Sequence, residues 1–289
     1  MAMNGVRVRV PASSANLGPG FDVLAVALDR WLELEVRPAA SFSFESDLDV
    51  PKDPTNIAVE AFGQIGDPGH AAFVMRSDIP LSGGLGSSAA ARVAGVFAAL
   101  VMGGEEPREA RHTALAIAAE LEGHADNASA AVLGGVSVEL PDGALTLNVP
   151  HRLGFVIAAP HEAVATSEAR AALPASVPMA DAAFNVGQAM ALAAGLASRD
   201  LDLLARGLGD RLHQPYRAHL YPRSTELIAN AKHYGALDAT ISGAGPTVLF
   251  WCERDAVRSV VDAVTEETRG WADVFAVDPS DRGADAVLL

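Results

Sequence analysis

The stretch Pro80-Leu81-Ser82-Gly83-Gly84-Leu85-Gly86-Ser87-Ser88 decides how the rest of this chain is read. Three of the four residues from Gly83 to Gly86 are glycine. Glycine offers no side chain to pack and loses much backbone freedom on folding, so the cluster serves tight bending and close approach of bare N–H groups to a ligand. The residues that follow, Ala89-Ala90-Ala91-Arg92-Val93-Ala94-Gly95-Val96-Phe97-Ala98-Ala99-Leu100, are mostly strong helix formers. A glycine loop that opens a helix is an anion site, because free N–H groups and the helix dipole both point at the ligand. Ser87 and Ser88 add hydroxyls for a phosphate or its metal. The stretch reads as a phosphate cradle.

Other readings of the loop compete with this one. A Walker A loop needs lysine before the terminal Ser/Thr, and here Gly86 runs directly into Ser87. A dinucleotide fingerprint over Gly84 to Ala89 needs a strand running straight into the first glycine and an acidic residue ending the next strand. Residues 76–82, with Pro80, separate the expected strand 71–75 from the glycines, and Glu105 and Glu106 fall beside Gly104 and Pro107 at a helix start. A plain glycine turn with a serine-capped helix stays open on this segment alone.

The 289 residues are enough for one large domain or two ordinary ones, and 50% are hydrophobic, so a sizeable core is available. A net charge of −15 argues against nucleic acid and against an anionic membrane as partners. Phosphate must then be held by local N–H groups, a few arginines and a cation. The single cysteine, Cys252, excludes an internal disulfide and fits a reducing cytoplasm. The first eleven residues carry no apolar signal core, and the most apolar helical stretches are too short and interrupted to span a bilayer.

Outward from the loop, Val6, Val8 and Val10 alternate with Arg7 and Arg9 as in a half-buried strand. It leads into Pro11-Ala12-Ser13-Ser14-Ala15-Asn16-Leu17-Gly18-Pro19-Gly20-Phe21-Asp22, which reads as a polar loop too rich in small residues to pack. Leu32, Leu34 and Val36 mark a second strand and Phe42 and Phe44 a third. Asp53 to Asn56 starts a helix with Ile57, Ala61 and Ile65 on one face. Pro107 begins a helix that runs into Glu120-Leu121-Glu122-Gly123-His124-Ala125-Asp126-Asn127, followed by strands around Val138 and over 145–149. In the second half, a strand at 153–159 precedes helices from Thr166 and over 182–197, and Ser224 caps a further helix ending at Gly235. Strands at 238–241 and 247–252 flank Ser242-Gly243-Ala244-Gly245-Pro246, and a helix at 255–268 and a strand at 273–277 complete the pattern. That order is ferredoxin-like, and the seam near Pro150 divides the chain into 1–150 and 151–289.

Three stretches, 11–22, 80–91 and 242–247, together resemble the three motifs of the GHMP small-molecule kinases. Within that superfamily the chain is similar to the homoserine kinases, on Ser14 to Asp22, His124-Ala125-Asp126-Asn127, residues 166–170 and His213-Gln214-Pro215-Tyr216-Arg217. The similarity covers nearly the whole chain. It departs from the pattern after Asn127, where Ala128-Ser129-Ala130 replaces the usual Val-Ala-Pro, and in a short connection from Glu120 to His124.

The resemblance implies an α+β fold, with an N-terminal domain like that of ribosomal protein S5 domain 2 and a ferredoxin-like C-terminal domain. It implies transfer of the ATP γ-phosphoryl group to the side-chain hydroxyl of L-homoserine, in a cytoplasmic enzyme for which a homodimer is compatible. Residues 80–90 would wrap the phosphates, Asn56 would contact the adenine side, and Ser88 and Glu120 would hold Mg²⁺. Arg170 and Arg217 match the pair for the substrate carboxylate, where a planar fork gives bidentate contacts that lysine cannot. Asn16 and Asp22 match the amine and hydroxyl side, Asn127 and Thr166 would position the hydroxyl, Asp126 and Arg170 join them as catalytic residues, and His124 joins the substrate contacts. The bland readings are surface charges for the arginines and Glu120, a turn cap for the Ser/Asn loop, and structural hydrogen bonds for His124 and His213.

Mevalonate-type and galactose-type kinases carry Lys or Arg in the N-terminal motif. The only lysines here, Lys52 and Lys232, lie near none of the motifs. A catalytically dead metabolite-binding homologue would have lost Ser88, Glu120 or the arginine pair, and all are present.

Overall fold

Alternating apolar and charged residues build the first strand, β1 (Val6–Ala15), with Val6, Val8 and Val10 buried and Arg7 and Arg9 facing out. In the computed structural model, which describes residues 5–81 and 84–289, β1 runs past Val10 and residues 11–20 are all buried. The segment read as an unpackable loop is therefore core. Its small side chains let it lie between neighbouring elements, and a register shift between Pro11 and Ala12 bends it there.

β2 (Leu24–Pro38) pairs antiparallel with β1 along its whole length, burying Leu32, Leu34 and Val36 as their spacing predicts. β3 (Ser43–Ser46) follows, then α1 (Ile57–Phe62), capped by the Asn56 side chain on the Ala58 N–H. This helix is shorter than its sequence pattern suggests: Gly63 ends it, and Ile65 lies beyond it, half-exposed. β4 (Ala71–Ser77) sits between β2 and β3. α2 (Ser87–Met102) and α3 (Pro107–Glu122) follow. α4 (Asp126–Leu133), which no periodicity announces, precedes the ribbon of β5 (Val136–Leu140) and β6 (Gly143–Leu147), joined to the near half of β2.

The second half contains β7 (Leu153–Pro160), α5 (Thr166–Ala171), α6 (Met179–Ser198), α7 (Leu201–Arg206) and α8 (Gln214–Arg217). α9 (Pro222–Ala229), β8 (Asp238–Ile241), β9 (Val248–Glu253), α10 (Val257–Glu267) and β10 (Ala272–Val277) complete it. The four strands form an antiparallel sheet in the order β10-β7-β9-β8, the ferredoxin-like arrangement. Ser224 does not cap α9; it lies inside the helix, and its hydroxyl donates to the Pro246 carbonyl at 2.6 Å. A final strand, β11 (Asp285–Leu288), returns to pair with β1 at the edge of the first sheet.

The period of two in β7 and β9 joins the halves. Phe155, Ile157, Leu249 and Trp251 belong to the large core that also holds β1, β2 and α2. Val156, Ala158, Phe250 and Cys252 face the other way, against Leu227, Val260 and Val264 of α9 and α10. Each fully buried Val, Leu, Ile or Phe among them contributes about 1.5–3 kcal/mol.

Candidate active site

The three short motifs meet. The Ser13 N–H donates to the Leu85 carbonyl at 3.1 Å, and the Gly243 N–H donates to the Ala15 carbonyl at 3.0 Å. Ser242 Oγ donates to the Gly84 carbonyl at 2.6 Å and lies 2.7 Å from Ser14 Oγ. Gly86, at φ 67°, is the N-cap of α2 and offers no side-chain cap. A Cβ on Gly86 would fall 2.2 Å from Ser13 Oγ, and one on Gly84 (φ 70°) would fall 2.6 Å from the Ser242 carbonyl oxygen. These two positions admit only glycine, for backbone conformation and for space alike.

Around this junction lies a cavity of about 710 Å³, lined by Gly84, Gly86, Ser87, Ser88 and Ala89 of the loop and helix start. Its other walls come from Asn16, Asp22, Glu122, His124, Asp126, Asn127, residues 163–166, Arg170, Arg217 and residues 243–245. The first turn of α2 thus faces the cavity with no acidic side chain and no cap, the arrangement that attracts an anion.

At the far end, Arg170 grips Asp22 with both nitrogens, Nη1 to Oδ2 at 3.1 Å and Nη2 to Oδ1 at 2.9 Å. This pairing raises the pKa of Arg170, with burial opposing it. Arg217 is buried; its Nε donates to the Ala169 carbonyl at 2.9 Å and its Nη1 lies 3.3 Å from His213 Nδ1. Burial lowers the pKa of Arg217, and no carboxylate forms an ion pair with it among the described residues. A buried guanidinium facing a cavity without a bonded counter-ion is prepared for an anion. His213 is fully buried, its Nε2 lies 2.8 Å from the Gly18 carbonyl, and burial pulls its pKa down. The neutral tautomer with Nε2–H satisfies both contacts, leaving Nδ1 as acceptor for Arg217. The Phe21 ring stacks on His213 at 5.3 Å and underlies both guanidiniums, at 5.3 Å from Arg217 and 5.9 Å from Arg170. Phe21 does not line the cavity, but its ring supports both arginines that do, a role the sequence reading misses though Phe21 stands inside the quoted motif beside Asp22.

Asn16 reaches the cavity in a left-handed conformation (φ 71°), donating to the Gly243 carbonyl at 2.7 Å and accepting from the Asp22 N–H at 2.9 Å. Asn127 Oδ1 accepts from Ser13 Oγ at 2.9 Å. Asp126 is buried between His124 Nδ1, at 2.8 Å, and the Asn127 N–H, at 2.7 Å. The hydrogen bond to Asp126 raises the pKa of His124, against a smaller opposing effect of burial. Thr166, the first residue of α5, is exposed on the cavity wall.

The carboxylate beside Ser88 is Glu122, not Glu120. Ser88 Oγ donates to Glu122 Oε1, whereas Glu120 does not line the cavity. Residues two apart on a helix differ by about 200° in direction, so only one of the two can face α2.

Of the remaining loop residues, Leu85 and Ala90 point into the core, and Pro80 does not reach the cavity. Ser82 and Gly83 lie outside the described residues. Leu81, Asn56, Leu32, Leu48 and Met75 line a second, mostly apolar cavity of about 330 Å³ that shares Ser87 and Ser88 with the first. There the Asn56 amide is held by the Pro51 carbonyl at 2.8 Å and the Ala58 N–H at 3.0 Å.

The family model of the GHMP kinases N terminal domain matches residues 55–135, and that of the GHMP kinases C terminal region matches 192–269. The chain is 40% identical over 260 residues to the homoserine kinase of Moorella thermoacetica, spanning 85% of this chain and 86% of that one. It is 43% identical over 251 residues to a homoserine kinase of Thermus thermophilus, spanning 84% and 85%. The crystal structure of homoserine kinase from Cytophaga hutchinsonii superposes with a TM-score of 0.86 at 28% identity, covering 98% of both chains.

Proposed function

This chain belongs to the GHMP kinases and, within them, to the homoserine kinase family, and we propose that it phosphorylates the side-chain hydroxyl of L-homoserine with ATP. The observation that carries the acceptor assignment is the pair Arg170 and Arg217, set around Phe21 at the end of the cavity away from α2. Their planar forks suit a carboxylate. Asp22 and the free lone pair of Asn16 Oδ1 suit an ammonium, so the end as a whole suits an amino acid. Asn127 and Thr166 then orient the hydroxyl toward the glycine loop.

The α2 N-terminus, with Gly84, Gly86, Ser87, Ser88 and Ala89, cradles the phosphates, and the apolar cavity beside Asn56 takes the adenine. Ser88 and Glu122 are hard oxygen donors, and among the described residues no group of three or more His, Cys, Asp or Glu could hold a metal. Two donors of this kind fit Mg²⁺, which keeps several waters and binds together with phosphates. When bound, Mg²⁺ supplies charge neutralisation for the transferring group. Asp126 Oδ1 takes both the His124 Nδ1 contact and the Asn127 N–H, which fixes the carboxylate in place, and we read it as positioning the loop and not as the group that takes the proton. Alignment of the hydroxyl supplies most of the rate that the protein adds.

We place the domain seam near Pro150, with 1–150 as the ATP-binding domain and 151–289 as the ferredoxin-like domain whose last strand crosses back to β1. No helix among the described residues is long and apolar enough to cross a membrane. The cytoplasm is the proposed location, and a homodimer is compatible with this reading. A coupled ADP-release assay across homoserine, serine, threonine, mevalonate and galactose tests the reading. Turnover of mevalonate or galactose in preference to homoserine would overturn it.

A further inference from the structure

Arg92 is the one charged residue in α2, one turn beyond Ser88, on an otherwise apolar helix. Its Nη1 donates to Ser88 Oγ at 2.8 Å and to Glu122 Oε1, the same oxygen that accepts from the Ser88 hydroxyl. The Glu122 side chain is only 10% exposed, and Arg92 is its ion-pair partner. Arg92 does not line the main cavity. It borders a separate space of about 340 Å³, whose walls include Ile57, Glu60, Gln64 and Leu121.

We propose that Arg92 is a resident counter-cation of the Ser88–Glu122 pair, neutralising it so that a divalent cation enters with the nucleotide and not before it. The proposal rests on the reading of Ser88 and Glu122 as the cation's ligands. One hydroxyl and one carboxylate, the latter already matched by a guanidinium, form a poor site for a free Mg²⁺, which sheds water reluctantly. A triphosphate brings the negative charge that Arg92 otherwise cancels. The space behind Arg92, with Glu60 on its wall, gives the side chain somewhere to withdraw when the cation arrives. Arg92 is thus a positioning residue: it touches neither substrate, and it acts through Glu122.

Removing the guanidinium leaves an unmatched, mostly buried carboxylate, a stronger attractor for a cation. The test is Mn²⁺ binding without nucleotide, followed by the loss of the free-ion electron paramagnetic resonance signal. Arg92→Met should bind Mn²⁺ roughly ten-fold or more tighter than the parent, from loss of one like charge beside the site. Arg92→Lys, which keeps the charge and covers the case where the methionine variant folds poorly, should stay near the parent. Adding Glu122→Gln to Arg92→Met should abolish the gain. Unchanged or weaker Mn²⁺ binding in a folded Arg92→Met protein, by circular dichroism, overturns the proposal and leaves the ligand assignment standing. A gain that survives Glu122→Gln puts the cation elsewhere and overturns both.

Discussion

At the glycine-loop end the described residues on the cavity wall include no lysine or arginine, only N–H groups, serine hydroxyls, Ala89, the two glycines and the Glu122 carboxylate that Arg92 matches from outside the cavity, while the far end carries Arg170, Arg217 and Asp22. The first end is held by contacts too close to admit a Cβ. The second is held by charge, one arginine in a bidentate pair that is 39% exposed and the other buried without a bonded counter-ion. The difference matches what the proposed function asks each end to bind. A chain of net charge −15 repels a polyphosphate, so on the proposed reading it would meet one with fixed dipoles and a cation and would need shape above all. A small zwitterion presents one charge of each sign and is recognised by matching charges.

The harshest way to break this contrast is Gly86→Ala. Its Cβ would enter the Ser13 hydroxyl at a backbone φ of 67°, so the loop must move. kcat/KM for ATP should fall by on the order of 10³-fold, with a lower Tm, since small displacements of a positioning loop are costly. Steady-state kinetics within about ten-fold of the parent would mean that shape does not govern this end. Next is the pair Glu122→Gln and Glu120→Gln. The first should lower kcat by roughly 10²-fold, and the second should leave it within about two-fold, in assays at saturating Mg²⁺. Equal effects would erase the distinction drawn between the two glutamates.

Arg217→Lys sharpens the other side of the comparison. The KM for homoserine should rise by about one to two decades with that for ATP unmoved, because a buried charged hydrogen bond is lost. Arg170→Lys should cost less, since solvent screens its exposed pair. A rise confined to the ATP KM would exchange the two ends. The smallest effect concerns His124, which stands between them. Its folded pKa is raised by Asp126, so its stabilisation is full below the unfolded value of about 6.5 and fades as pH climbs through the raised value. The Tm difference between the parent and His124→Asn should therefore be largest near about pH 6 and shrink toward about pH 9. A difference that grows with pH would mean that the imidazolium is not what Asp126 holds.

Much of this site is legible in the sequence because its chemistry depends on residue type. Only glycine makes the loop, so Gly84 and Gly86 stand out before any fold is known, whereas Arg170 and Arg217 are set apart from the chain's other arginines only by the motifs it shares with the homoserine kinases. The sequence does not separate Glu122 from Glu120, because helical phase at the end of α3 depends on how it packs against α2, which the local pattern does not carry. α4 escapes the pattern because Asp126-Asn127-Ala128-Ser129 lacks an apolar stripe of its own. Its buried alanines and Val132 acquire their meaning from the sheet beneath them.

By itself the amino-acid order determined the α+β class and the glycine loop that opens a helix, since each follows from local backbone freedom or periodicity. Tertiary structure alone decided that residues 11–20 are core, that β11 joins β1, that Phe21 carries both guanidiniums and that Arg92 reaches Glu122. Each of these brings together residues distant in the chain or turns one side chain against a partner. Such contacts are set by the packing of whole elements, and nothing within a few residues of either partner specifies them.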